Sequence, residues 1–222
     1  FHSLYRKILG TIGHIVCYTR PDVAFACYYL CRFQQRPGVK HLKAAFHLTR
    51  YLYKTRSRCL TFGNVEHPSS KDALACYVDS DHVGSCDRRS TSGFMVFAHG
   101  CPIYWKSTKQ KCASMSSQCS ELVAACAAAR EVLYVGRIMK ELQLCDESEK
   151  GVLYIDNQAC IQTARNGGGA RSRHFAVRSC WLYEVLHLHQ AIELRRIGTD
   201  DNPADLFTKN LIGRKTDFFG NF

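Results

Sequence analysis

Residues 73–84 read "ALACYVDSDHVG": an apolar run that ends on two acids, Asp79 and Asp81. A short apolar run bounded by turn residues is the pattern of a buried strand. An acid at the end of such a strand is unfavourable unless something pairs with it. Asp79 is therefore either a turn residue that follows a strand or one corner of a metal site.

The segments downstream continue in short β-like runs. "SGFMVFAHG" (92–100) and "CPIYWKS" (101–107), punctuated by Gly and Pro, predict an antiparallel meander with the first run. "SSQCSELVAACAAAREVLYVGRIMKELQL" (116–144) is rich in helix formers and has Ser116 or Ser117 as its cap. "GVLYID" (151–156) reads as a strand and "NQACIQTARN" (157–166) as a short helix ending at "GGG" (167–169). "RSRHFAVRSCWLYEVLHLHQ" (171–190) reads as helix, "AIELRRI" (191–197) as strand, and "NPADLFTKN" (202–210) as a helix with Pro203 in its first turn. The order β-β-β-α-β-α-α-β-α predicts an α/β fold.

Residues 1 to about 60 differ in texture and read as helical. In "TRPDVAFACYYLCRFQ" (19–34), Thr19 is a candidate cap and Pro21 sits in the first turn. Val23, Phe25, Ala26, Tyr29, Leu30 and Phe33 form its apolar stripe, and "RPG" (36–38) ends it. The next helix, "VKHLKAAFHLTRYLYKTRSR" (39–58), carries Leu42, Ala45, Phe46, Leu48, Tyr51 and Leu52 on a wide apolar face. Lys40, Lys43, His47, Arg50 and Lys54 lie elsewhere on it, as a phosphate-backbone contact or as a solvated face. The polar stretch "NVEHPSSKD" (64–72) is the linker candidate. The organisation predicted is a helical segment over 1–65, an α/β domain over 70–210 and a tail over 211–222.

On these elements the acids acquire positions. Asp79 ends the first strand, Glu121 lies in the first turns of the long helix, Asp156 ends the fourth strand, and Asp205 sits at the start of the last helix. Small neighbours of Glu121 (Ser120, Ala124, Ala125, Ala128) would let it approach a strand closely. Each acid alone also reads as a turn former, a helix N-terminal charge or a cap. Four carboxylates converging at one sheet edge would repel one another and raise each other's pKa without a counter-charge. Hard divalent cations supply it, and two about 4 Å apart can clamp the attacking and leaving oxygens of a phosphodiester.

Composition narrows the partners. The 222 residues carry 30 Lys and Arg against 19 Asp and Glu, a net +11, which favours a polyanion and places nucleic acid ahead of membrane. The 13 cysteines, odd in number and without a regular framework, predict reduced thiols in an intracellular, non-secreted protein. No CxxC pair occurs, so structural zinc is not expected. No apolar run approaches the roughly 20 residues of a membrane span. The chain begins with Phe1, as a fragment of something longer would.

At these acids the sequence resembles a known family: the C-terminal part of the Pol polyprotein of copia-type retrotransposons, the end of reverse transcriptase followed by the ribonuclease H domain. The segment "YRKILGTIGHIVCYTRPDVAFACYYLCRFQQRPGVKHLKAAFHLTRYLYKT" is similar to the family's stretch after the polymerase palm. "YVDSDHVGSCDRRSTSGFMVFAHGCPIYWKSTKQ" is similar to its first ribonuclease H strands, and "SSQCSEL", "YIDNQAC", "RSRHFAVR" and "NPADLFTK" to the later motifs. Three positions depart from it: His82 replaces an aromatic, Gln118-Cys119-Ser120-Glu121-Leu122 keeps one of two acids, and Ala176 replaces an acid.

The resemblance implies a ribonuclease H-like fold, a mixed five-stranded sheet flanked by helices and preceded by a small helical segment. It implies cleavage of the RNA strand of RNA–DNA hybrids with two Mg²⁺ ions, Mn²⁺ being the substitute, in the context of the remaining Pol polyprotein. The metal-binding and catalytic acids would be Asp79, Glu121, Asp156 and Asp205, with Asp81 a second acid that is not a ligand. Lys106, Lys109, Lys111 and Arg171 are candidate contacts to the nucleic-acid backbone. His174 falls on a basic position near substrate, or caps a helix start. The competing reading is a transposon-derived nucleic-acid-binding remnant without turnover.

Overall fold

In the computed structural model, Leu74–Asp81 forms β1, the middle strand of a five-stranded sheet. Thr91–Ala98 (β2) and Cys101–Lys109 (β3) follow it as an antiparallel meander. A 25-residue helix, α4 (Ser117–Glu141), then crosses over to Gly151–Ile155 (β4), which lies parallel to β1. After α5 (Gln158–Arg165) and α6 (Ala176–Tyr183), Ile192–Arg196 (β5) adds parallel to β4. The spatial order β3-β2-β1-β4-β5 is thus half antiparallel and half parallel. The mixed five-stranded sheet flanked by helices is the ribonuclease H-like architecture expected. The structure describes residues 1–60, 62–63, 71–82, 89–168 and 176–209, so most of the linker candidate lies outside the described residues.

Alternation along β1 explains how α4 is held. Leu74, Cys76 and Val78 point into a core shared with Phe94 and Val96 of β2 and Leu153 and Ile155 of β4. Against them α4 buries Leu122, Ala124, Ala125, Ala128, Ala129 and Val132. The small residues on that face let the helix axis approach the sheet closely. Gly151 shows how tight the contact is, since a Cβ there would lie 2.3 Å from Val132 Cγ1.

Helix boundaries follow the capping chemistry. Ser116 caps α4 through its hydroxyl, which accepts from Cys119 N at 3.1 Å. Asn157 caps α5 by accepting from Cys160 N at 3.0 Å. The helical stretch after α6 widens into a single π turn, Glu184–Leu188. The stretch expected as a last helix is instead a 3₁₀ turn, Pro203–Phe207, capped by Asn202 accepting from Ala204 N at 3.1 Å. Its backbone bonds span three residues, Asp205 N donating to Asn202 O at 3.4 Å and Thr208 N to Asp205 O at 3.2 Å, the 3₁₀ pattern.

Two compact units are present, one built on Phe1–Phe62 and one on Gly63–Thr208. The first packs α1 (His2–Tyr18), α2 (Ala24–Cys31) and α3 (Val39–Lys54) against one another. Tyr5 is fully buried and donates its hydroxyl to Leu30 O at 2.7 Å. Buried Arg20 binds both oxygens of Asp22 at 2.9 and 2.7 Å and also donates to Thr55 O at 3.0 Å. Two expectations are corrected here. Thr19 closes α1, its hydroxyl donating to Ile15 O at 3.1 Å, rather than capping the next helix. Phe46 lies on the solvent side of α3, whose buried residues are Ala45 and Leu48.

Candidate metal centre

Val78 of β1 lies beside Ile155 of β4 in parallel register. The next residues, Asp79 and Asp156, therefore come to the same end of the β1–β4 pair. Asp156 lies just past the end of β4, and Asp79 lies still within β1, which runs on to Asp81 rather than ending, as expected, at Asp79. Glu121, five residues after its cap Ser116, is brought over that end by α4. One oxygen from each of Asp79, Glu121 and Asp156 lies within 4.8 Å of the other two. Asp79 and Glu121 are buried and Asp156 is half-buried. The cap of α5 is Asn157, so the Asp156 carboxylate is not consumed by that role.

Glu121 records the electrostatic tension of the cluster. Burial pushes its carboxyl up to about 9, and the charges of Asp79 and Asp156 push the same way. Ser80 N donates to Glu121 Oε1 at 3.2 Å and opposes the rise. The other oxygen, Oε2, is buried with no hydrogen-bond partner. An orphaned buried carboxylate oxygen facing two more carboxylates is a strained arrangement for protein alone. It suits a hard cation, because the donor set is all oxygen and carries the charge to be neutralised. The residues present therefore fit a divalent ion.

A set of neutral side chains fixes the acids. Thr208 Oγ1 donates to Asp79 Oδ2. Asn202 Nδ2 donates to Val78 O at 2.9 Å, anchoring the terminal turn to β1 one residue before Asp79. Ser80 Oγ donates to Ser120 Oγ at 2.8 Å and ties the strand end to α4. Buried Gln110 donates to Ser92 Oγ and to Ser120 O, both at 2.9 Å, and accepts from Ser114 Oγ at 2.8 Å. Asn202 and Thr208 stand inside the quoted motif "NPADLFTK". Gln110 closes the quoted segment that ends in "WKSTKQ", but its bonds arise only when β3 and α4 meet.

Asp205 is not one of the three acids that converge. It is buried in the Pro203–Phe207 turn, which packs on β1 and β2 next to Asp79. Lys106, Lys109 and Lys111 line a groove of about 670 Å³ between β3 and α4, together with Arg130, Arg178 and Ser92. Lys106 Nζ is 3.8 Å from Glu131 Oε1, a half-exposed contact of little energetic weight. Arg171 and His174 lie outside the described residues. His82 Nδ1 is 3.4 Å from Ser90 Oγ at the end of β1.

Sheet order and acidic edge together define a ribonuclease H-like α/β unit that follows a helical unit in the chain. No family model matches the chain. It is 33% identical over 207 residues to the retrovirus-related Pol polyprotein from transposon TNT 1-94 of Nicotiana tabacum, covering 92% of this chain and 15% of that protein. It is 28% identical over 209 residues to the Pol polyprotein from transposon RE1 of Arabidopsis thaliana, covering 93% of this chain and 14% of that protein. Among solved structures it is similar to LC11-RNase H1, isolated from compost, at 11% identity and TM-score 0.49, over 62% of this chain and 93% of that chain. The two Pol homologues are copia-type Pol polyproteins of transposons, and the chain spans 15% and 14% of their length. Among the described residues no helix is long and apolar enough to cross a membrane.

Proposed function

We propose that the Gly63–Thr208 unit is the ribonuclease H domain of a transposon Pol polyprotein and hydrolyses the RNA strand of RNA–DNA hybrids. In this reading Phe1–Phe62 corresponds to the end of the reverse transcriptase. The observation that carries it is the convergence of Asp79, Glu121 and Asp156 within 4.8 Å, with Glu121 Oε2 buried and unpartnered. Asp79 and the pair Glu121 and Asp156 would hold one Mg²⁺, and Asp79 with Asp205 a second, Mn²⁺ serving as substitute. When bound, the ions supply a nucleophilic water at neutral pH and stabilise charge on the leaving oxygen.

The chain's own residues do the rest. Thr208 holds Asp79 in one rotamer through its hydroxyl, and Ser80 N orients Glu121 by binding one of its oxygens. Depth of burial keeps bulk water off both acids, so their attraction to cations is strong. Lys106, Lys109 and Lys111 line a groove that also includes Ser92 and would contact the phosphate backbone, with Arg171 and His174 as further candidates. Recognition of a hybrid would come from groove shape and the 2′-hydroxyl, which side chains reach without reading bases.

The test is cleavage of an end-labelled RNA–DNA hybrid with Mg²⁺ present, comparing wild type with Asp156→Asn. We expect products with a 5′-phosphate and a 3′-hydroxyl from wild type, and a rate reduced by at least about 100-fold in the variant. Equal rates, whether both active or both inert, overturn the proposal. Both inert with retained hybrid binding would leave a transposon-derived binding remnant.

A further inference from the structure

Helix α2 carries Cys27 and Cys31 one turn apart, on the same face. Cys27 is fully buried, Cys31 is half-buried, and both thiols are free. They hydrogen-bond each other, and Gln34 adds a hydrogen bond to Cys31. The bond from Cys27 lowers the Cys31 thiol from its ordinary range, which brings the thiolate within reach near neutral pH. Burial raises the hydroxyl of neighbouring Tyr5, and the charges of both thiols push the same way, so the surroundings are dry.

Spacing decides what such a pair can hold. Residues i and i+4 of a helix have Cβ atoms about 5–6 Å apart. A disulfide needs about 3.5–4.5 Å between its Cβ atoms, so an intact α2 does not close one. Two metal–sulfur bonds of about 2.3 Å laid end to end span about 4.6 Å, which these side chains reach without moving the backbone.

The number of ligands then selects the metal. Structural zinc and iron–sulfur clusters take four protein ligands. Among the described residues, the group of three His, Cys, Asp or Glu with ligand atoms within 4.8 Å of one another is the acid centre, so no third such ligand closes on this pair. Cys17, at the end of α1, acts on Cys27 through its charge, but its sulfur lies against the Tyr28 hydroxyl at 3.8 Å. Soft thiolates without further ligands suit Cu⁺.

We propose that Cys27 and Cys31 form a two-coordinate site for a monovalent thiophilic cation, Cu⁺, held between two thiolates on one face of α2. Binding replaces both S–H protons, which go to solvent, and leaves a complex of charge −1. Residues 1–62 hold eleven Lys and Arg and a single acid, Asp22, so the charge of the unit favours that anion. The site shares no residue with the acid centre and stands whether or not the chain hydrolyses RNA.

The experiment titrates the reduced full chain with Cu⁺ without oxygen, against bicinchoninate as a coloured competitor. All 13 cysteines can meet the ion, so the quantity read is the affinity for the first equivalent. Cys31→Ser and Cys27→Ala should each weaken that step by about 100-fold or more, since even groups that only support a metal's ligands are commonly worth 10–100-fold. Cys17→Ser and Cys180→Ser, which remove exposed thiols, should leave it unchanged. Excess Zn²⁺ should not displace the ion, because two ligands fill only half of its shell. Equal first affinity in Cys31→Ser and wild type overturns the proposal, as does an equal loss in Cys17→Ser or displacement by Zn²⁺. Thermal melts check that the variants fold. If Cys27→Ala melts early, Cys31→Ser, at the half-buried position, decides alone.

Discussion

Asp79 and Gly93 face each other across the antiparallel β1–β2 pair, and the missing side chain of Gly93 is what admits the terminal turn beside Asp79. A Cβ at Gly93 would lie 2.6 Å from Phe207 Cβ and 2.7 Å from Thr208 Cγ2. Both neighbours are buried, so neither has room to retreat. Gly93→Ala should therefore destabilise the chain by about 1–3 kcal/mol, the usual range for overpacking. It should also push Thr208 away from Asp79. Urea unfolding measures the first effect, and weakened divalent-ion binding the second.

How much of this could be read from the amino acids differs by residue. Asp79, Glu121 and Asp156 stand at legible places, because strand and helix ends are marked by period changes and caps. Their meeting is not local information. It depends on β4 pairing parallel to β1 with Ile155 beside Val78, and on α4 crossing between them. Phe46 looked like core because α3 shows a broad apolar face, yet among the described residues α3 packs mainly on α1 and α2 and buries only Ala45 and Leu48. Thr19 follows helix on one side and precedes it on the other, so its residue type fits either end. Gln110 ends the quoted "WKSTKQ" segment, but its bonds to Ser92 and Ser120 depend on β3 and α4 meeting.

The folded, metal-free chain holds Glu121 protonated far above its ordinary range, up to about 9 against 4.5. Between those values the folded state keeps a proton that the unfolded chain releases. Stability is therefore fully present below about pH 4.5 and declines as pH rises towards 9. In EDTA, Glu121→Gln should remove this decline and be more stable than wild type at pH 8. Thermal melts from pH 5 to 9 check the sign; a wild-type chain that gains stability over that range contradicts it.

Divalent ions should reverse the order. An ion that binds only the folded state stabilises it by roughly 1.4 kcal/mol at ten times its Kd. Wild type should gain more from Mg²⁺ at pH 8 than at pH 5.5, because the bound ion favours the ionised Glu121 carboxylate that protonation otherwise removes. Glu121→Gln should gain less at either pH. Melting with and without 10 mM-range Mg²⁺ reads the difference.

Asn202 links two elements far apart in sequence, donating to Val78 O and accepting from Ala204 N. Asn202→Ala removes the side-chain donor to the buried Val78 carbonyl and uncaps the terminal turn. The expected loss is about 1–3 kcal/mol for the carbonyl, with the cap adding roughly 1 more. Asn202→Asp retains the capping acceptor but supplies no donor to Val78 O, so it should recover only the cap. Urea midpoints of the two variants separate these contributions.

Thr208 offers the cleanest separation of positioning from packing. Its Oγ1 donates to Asp79 Oδ2, while its Cγ2 fills the space above Gly93. Thr208→Val keeps the volume and the contact with Gly93 but removes the donor. Asp79 then loses the bond that orients it, and partners of this kind are commonly worth 10–100-fold in metal affinity. Thr208→Val should weaken Mn²⁺ binding by about that factor, measured by calorimetry on the full chain. Thr208→Ser, which retains the hydroxyl, should bind close to wild type. Equal affinity in Thr208→Val and wild type would mean that Asp79 is positioned by its strand alone, and would remove Thr208 from the metal centre.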